Sequence, residues 1–268
     1  MGKYEDTLMR VVEHYNEARE YFDENQIIGI FLQGSQNYGL DLPTSDVDTK
    51  LIVAPSFKEI AMNTKPVSTT HIRANEEHID FKDIRLYMQT FRKQNLNFLE
   101  ILFTDYYSIN SKYYDQWMRL VNAREAIANF NRYRGVQSMK GIAMEKFHAM
   151  EHPYPSKLEI IAKYGYDPKQ LHHLLRVEDY LERYIAGESY EKCLQPTDPN
   201  YLIAVKQGIY SLDEARQVGQ RAILNVNHMA EEFYSKNENI EDPEVNELLD
   251  DVQLNIMRIA VEEELKNG

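Results

Sequence analysis

The chain has 268 residues, with 30 lysines and arginines against 43 aspartates and glutamates, a formal net charge of −13. That length allows one large domain or two modest ones with cores of their own, two being the expectation, and the acidic balance argues against a protein that coats phosphate backbones non-specifically. The single cysteine, Cys193, excludes an internal disulfide and a cysteine-rich zinc site; it fits a reducing compartment and reads as a small packed side chain.

The opening MGKYEDTLMR lacks an apolar signal core, and no apolar run approaches the length of a membrane span, so a soluble, cytoplasmic protein with no membrane partner is expected. From about Tyr4 to Tyr21, Leu8, Val11, Val12, Tyr15 and Ala18 recur at the spacing of an amphipathic helix. Ile27 to Leu32 is an unbroken apolar run that reads as a strand buried on both faces, ended by Gly34-Ser35. After a polar loop with Gly39 and Pro43, a second strand is expected from near Asp46. Its alternation sends Asp46, Asp48, Lys50 and Ile52 to one face and Val47, Thr49, Leu51 and Val53 to the other. Ser56 caps a short helix over Phe57–Met62, and strand character returns at Val67–Arg73 and Glu77–Phe81, with Asp80 opposite the buried Ile79 and Phe81. Ile84 to Phe103 is helical with a break near Asn95. Beyond about Ser111 strand signals fade, and helical patterns run to the end: Asp167-Pro168 and Asp242-Pro243 start helices, and Ser211-x-x-Glu214 is a capping box. The last of these helices carries a stripe of Val245, Leu248, Leu249, Val252, Ile256 and Ile259 that calls for a helical partner. The division expected is 1–110 and 111–268.

Two carboxylates two residues apart on a strand lie about 6.5–7 Å apart at Cα, close enough for both to reach one hard cation. A buried strand ending in Gly34-Ser35, a gap of 11 positions to Asp46, the Asp46-x-Asp48 pair and a further Asp80 on a later strand together resemble the nucleotidyltransferase core of the DNA polymerase β superfamily. The longer form, GSQNYG followed by PTSDVD, looks like a subgroup of bacterial and phage-encoded predicted nucleotidyltransferases. The resemblance implies an α+β fold: a nucleotidyltransferase core with a mixed sheet, followed by an all-helical domain, with the active site in the cleft between them. It implies Asp46, Asp48 and Asp80 as catalytic ligands of Mg2+, two ions with Mn2+ as a substitute, and the Gly34-Ser35 turn as the holder of the β- and γ-phosphates. Glu76, Glu77 and Asp83 compete for the third carboxylate, and the alternation favours Asp80.

A second matching segment is KYGYDPKQLHHLLR, in which Gly165, Tyr166, Asp167, Lys169, His173 and Arg176 answer the subgroup's pattern. On a helix from Pro168, Lys169, His173 and Arg176 form a stripe that Tyr180 continues; by periodicity alone it is a solvated face, while the resemblance makes it a basic wall for the triphosphate. A third, looser match is NLNFLEIL, where Leu96 stands in place of a proline and Asn95, Asn97 and Glu100 read as structural caps. The resemblance spans roughly Phe31 to Arg176. It implies transfer of a nucleoside monophosphate from a nucleoside triphosphate to an RNA end, a protein or a small molecule. The alternative is a catalytically weak nucleotide-binding or regulatory module, antitoxin-like for example, that uses the same cleft; hydrolysis, with water as acceptor, is a third. Oligomeric state is not legible.

Overall fold

The apolar run that opens at Ile27 becomes an inner strand of a five-stranded mixed sheet in the computed structural model, which describes residues 2–267. Helix α1 (Lys3–Ala18) precedes β1 (Ile27–Gln33), followed by β2 (Asp48–Val53), α2 (Phe57–Ala61), β3 (Ser68–Ile72), β4 (His78–Asp83), α3 (Ile84–Arg92), α4 (Leu96–Leu99) and β5 (Tyr107–Ile109). The strands lie in the order β3-β4-β2-β1-β5, with β2 and β4 parallel and the other pairs antiparallel. One face of the sheet, carrying Ile30, Leu32, Leu51, Val53, Ile79 and Phe81, forms a core with Val11 and Ala18 of α1. The caps read from the sequence are in place: Ser56 and Glu59 form a capping box on α2, and Asn95 caps α4 by accepting from the Asn97 N–H.

The remaining elements are helices: α5 (Tyr114–Asn122), α6 (Arg124–Ala128), α7 (Arg132–Ala149), α8 (Leu158–Tyr164), α9 (Pro168–Ile185), α10 (Tyr190–Leu194), α11 (Pro199–Lys206), α12 (Leu212–Lys236) and α13 (Pro243–Asn267). The class is therefore α+β, a mixed sheet with a helical region after it. Among the described residues no helix is long and apolar enough to cross a membrane.

The chain forms two compact units. The first takes Met1–Asn37, Thr44–Phe130 and Glu241–Gly268, and the second takes Tyr38–Pro43 and Asn131–Ile240. These units are cut differently from a division at 110/111, and side-chain packing supplies the reason. Trp117 of α5 stacks on Phe31 of β1 with ring centroids 4.4 Å apart, which keeps α5 with the sheet. The apolar stripe of α13 finds its partners on α3 and α5, burying Val245, Leu249, Val252, Ile256 and Ala260. Polar contacts reinforce that return of the chain: Arg92 donates to Asn246 at 2.7 Å and to Asp250 at 2.6 Å, and Lys112 to Glu263 at 2.7 Å. The loss of strand pattern after Ser111 thus marks the end of the sheet and not the end of its unit.

Candidate active site

The turn after β1 is built on a backbone that side chains resist. Gly34 has φ of +102°, a region L-residues rarely adopt, and Ser35–Tyr38 then makes a single 3-10 turn. Asn37 fastens it: its side chain donates to the Leu32 carbonyl at 3.1 Å and accepts from the Thr104 hydroxyl at 2.7 Å.

Strand β2 begins at Asp48, two residues later than its alternation predicts, and Asp46 lies in the loop before it, exposed. The cause is Val47, whose N–H donates to Glu77 Oε1 at 3.1 Å. Asp46 and Asp48 are therefore not a pair on one strand face. Asp48 opens β2 opposite Gln33 of β1, while Lys50 pairs with Asp80 of β4, so Gln33, Asp48, Lys50, His78 and Asp80 share the sheet face turned away from α1. Of the acids near Asp80, Glu77 and Asp83 lie on the opposite face and Glu76 is exposed; Asp83 caps α3 by accepting from the Arg85 N–H at 2.8 Å.

Each carboxylate on the shared face is already engaged. Asp48 Oδ1 accepts from the His78 backbone N–H at 3.0 Å and lies 3.1 Å from His78 Nδ1. Asp80 Oδ1 accepts from the Thr70 hydroxyl at 2.6 Å, and its Oδ2 accepts from Lys50 Nζ at 3.4 Å and Gln33 Nε2 at 3.5 Å. Lys50 is only 4% exposed. Its ammonium lies 4.4 Å from the centre of the Phe98 ring, as does that of Lys82. Burial lowers the Lys50 pKa, and the Asp80 carboxylate works against that shift.

Behind the strand, on the α1 face, lies a buried polar network that the sequence reading missed. Glu77 is 1% exposed and receives Val47 N–H, Arg73 at 2.8 Å, Asn75 at 2.8 Å and Arg10, with His14 Nε2 at 2.9 Å. His14 Nδ1 lies 2.9 Å from the Thr49 hydroxyl. Burial, with Arg73 next, lowers the His14 pKa to about 4, and the Glu17 carboxylate works against that shift. The neutral ring then donates from Nε2 to Glu77 and accepts at Nδ1 from Thr49. Val47 and Thr49, the two neighbours of Asp48, are thus both held from behind. The available signal was His14 itself, a polar residue on the Val11–Ala18 stripe of α1.

In the second unit, Gly165 ends α8 in the left-handed conformation at φ of +80°, and Asp167 caps α9 by accepting from the Lys169 N–H at 2.9 Å. Tyr166 is buried and donates to the Tyr210 carbonyl at 3.1 Å. These three residues have structural work of their own. Lys169 is exposed, whereas His173 and Arg176 are half-buried. Burial, and then the charges of His172 and Arg176, push the His173 pKa well below its ordinary value. The Arg176 guanidinium lies over the ring of Tyr38, 3.6 Å from its centre. Tyr180, expected to continue this stripe, is instead buried against Tyr184 and Tyr190.

The donor chemistry of Asp46, Asp48 and Asp80 suits a hard divalent cation, and the backbone sets two of them on one sheet face. As placed, however, no three His, Cys, Asp or Glu side chains among the described residues come together closely enough to hold a metal ion. Internal donors engage Asp48 and Asp80, and Asp46 is on the loop. A metal would have to draw them from their present partners.

No protein-family model matches the chain, and no curated protein matches it. Among solved structures there is a similarity to a nucleotidyltransferase-like protein from Exiguobacterium sibiricum 255-15, 14% identical, covering 81% of this chain and 73% of that one, with a TM-score of 0.28. A superposition that loose does not establish a shared family.

Proposed function

We propose that the protein is a magnesium-dependent nucleotidyltransferase that moves a nucleoside monophosphate from a nucleoside triphosphate to an acceptor in the cytoplasm: an RNA end, a protein or a small molecule. The observation that carries this reading is the sheet face on which parallel β2 and β4 present Asp48 and Asp80, beside the strand that ends in the Gly34 turn. In this reading Asp46, Asp48 and Asp80 hold two magnesium ions, or manganese in their place. Bound there, the metal would neutralise charge on the α-phosphate and lower the pKa of the attacking group.

The chain's own residues do the rest. Backbone amides and the Ser35 hydroxyl at the Gly34-Ser35 turn hold the β- and γ-phosphates, because Gly34 lets the phosphates approach the backbone closely. The acceptor oxygen bonds to the α-phosphorus, the bond from that phosphorus to its bridging oxygen breaks, pyrophosphate leaves, and the acceptor's proton passes to solvent. Lys169, His173 and Arg176 are assigned to the triphosphate on chemistry: the two cations supply charge-assisted hydrogen bonds and the neutral imidazole an uncharged one. The test is incubation of the purified protein, magnesium and each α-labelled triphosphate with total cell RNA and protein. Label should move to one fraction with release of pyrophosphate, and failure of both with every triphosphate refutes the reading.

A second reading has an observation in its favour. Both oxygens of Asp80 are occupied by Thr70, Lys50 and Gln33, as they would be in a nucleotide-binding or regulatory module with weak or absent transfer. Binding of a triphosphate without pyrophosphate release would select it.

A further inference from the structure

Lys50 has no place in the scheme just given, yet it sits in the middle of it. A lysine 4% exposed must have a counter-charge, and among the described residues the carboxylate at bonding distance is Asp80, at 3.4 Å. The register explains why: Lys50 of β2 lies directly opposite Asp80 of β4, two residues along from Asp48 on the same face. Phe98 supports the ammonium from another side, 4.4 Å from its ring centre. The ammonium therefore cannot swing out to solvent without leaving both partners. Asp48 differs from Asp80 in its donors: it takes the backbone N–H of His78 at 3.0 Å and faces His78 Nδ1 at 3.1 Å, both at Oδ1.

We propose that Lys50 is a built-in competitor for metal at Asp80: its ammonium stands in for a cation in the metal-free protein, so that an ion reaching Asp80 must displace it. This rests on the metal reading of Asp46, Asp48 and Asp80 given above. It accounts for Asp80 being held by internal donors as placed. It also orders the two ions. An ion at Asp80 must expel the Lys50 ammonium, whereas an ion at Asp48 meets His78 instead, so the ion that needs Asp80 binds more weakly. The distinction is built by one side chain, and its removal should erase it.

The test is a Mn2+ titration of the full chain, counting bound and free ion by electron paramagnetic resonance, with and without a non-hydrolysable triphosphate. Lys50→Met keeps the length and apolar stem of the side chain against Phe98 and removes the ammonium; Lys50→Gln is the second variant should the first fail to fold, and circular dichroism checks both. Lys82→Met is the control, because it removes an equal charge from the same face, also 4.4 Å from Phe98, without breaking a hydrogen bond to Asp80. The weaker Mn2+ site should tighten about tenfold to hundredfold in the Lys50 variant, the worth of one hydrogen bond to a charged group, and by less than about threefold in the Lys82 variant. Equal tightening in both would mean general electrostatics, and no change in the Lys50 variant would mean no competition; either result overturns the proposal while leaving the metal site standing. Absence of Mn2+ binding in every protein, with triphosphate present, removes the metal reading itself along with the competitor.

Discussion

Replacing Glu77 tests whether the loop carrying Asp46 is held from behind. The carboxylate is 1% exposed and shared by Val47 N–H, His14, Asn75, Arg73 and Arg10. Glu77→Ala removes the acceptor but leaves two arginines, 31% and 15% exposed, and a buried amide without it. Deleting one side of a buried ion pair costs about 3–5 kcal/mol, and the partial exposure of the arginines puts this case near the lower end. Glu77→Gln keeps an acceptor for Val47 and loses only the charge, so its cost should be about 1–2 kcal/mol. Trp117 makes the measurement specific: it is the chain's one tryptophan, it is buried, and it stacks on Phe31 in the same unit as Glu77. Its fluorescence in urea therefore reports that unit, and with m of about 3 kcal/mol/M the midpoint should fall by about 1 M for Ala and by about 0.3–0.7 M for Gln. At a temperature where both variants remain folded, turnover should fall further in Ala than in Gln, because Val47 lies between Asp46 and Asp48. An alanine variant within about 1 kcal/mol of the parent would refute the clamp.

Asp46→Asn and Asp48→Asn should each abolish label transfer while leaving the Trp117 unfolding curve in place, since in the proposed reading each would remove a metal donor and neither touches the core; normal transfer by either ends the metal assignment. Lys169→Ala should weaken triphosphate binding about tenfold to hundredfold and leave the affinity for the unphosphorylated nucleoside unchanged, whereas unchanged triphosphate affinity returns Lys169 to a solvated face. Arg176→Ala should do the same and also lower stability by about 0.5–2 kcal/mol through the lost contact with Tyr38, read as a lower melting temperature. His172 is 1% exposed, donates from Nδ1 to the Leu202 carbonyl at 2.8 Å, and has its pKa lowered by burial from 6.5 to about 4. Between those pH values the unfolded chain binds a proton that the folded one refuses, so stability is full above 6.5 and falls with pH through the window by an amount on the order of 3 kcal/mol. His172→Gln should lessen the slope there without abolishing it, since His14 and His173 are also lowered by burial, and an unchanged slope removes His172 from the acid sensitivity.

What could be read from the residues in order was the part of the fold set by local periodicity. The apolar run of β1, the alternation of β4 and the caps at Ser56, Asn95, Asp167 and Ser211 all depend on neighbours within four positions, and each is where its pattern puts it. What could not be read was set by partners far along the chain. Asp46 falls off β2 because Glu77, thirty positions beyond Val47, takes the amide that a longer strand would have used. α13 leaves the helical region because α3 and α5 offer its stripe a surface that no count of apolar residues identifies. Lys50 was visible on the polar face of β2, but its meaning depends on the β2–β4 register, which pairs it with Asp80.

The two matching segments of the resemblance meet in the same way. Tyr38, from GSQNYG, lies 2% exposed beneath the guanidinium of Arg176, from the α9 segment, and Lys206 donates to the Leu40 carbonyl at 3.1 Å in the same loop. Residues Tyr38–Pro43 accordingly belong to the second unit, while Gly34, Ser35 and Asp46 on either side belong to the first. Within the second unit, Tyr38 is thus tied to α9 through Arg176. In the proposed reading Arg176 would have two separable actions, one on a phosphate and one on the ring of Tyr38. Tyr38→Leu distinguishes them: it keeps the apolar floor and removes the ring face, so it should reproduce the stability loss of Arg176→Ala without its full loss of triphosphate affinity. Equal affinity losses in the two variants would show that Arg176 acts through Tyr38 alone.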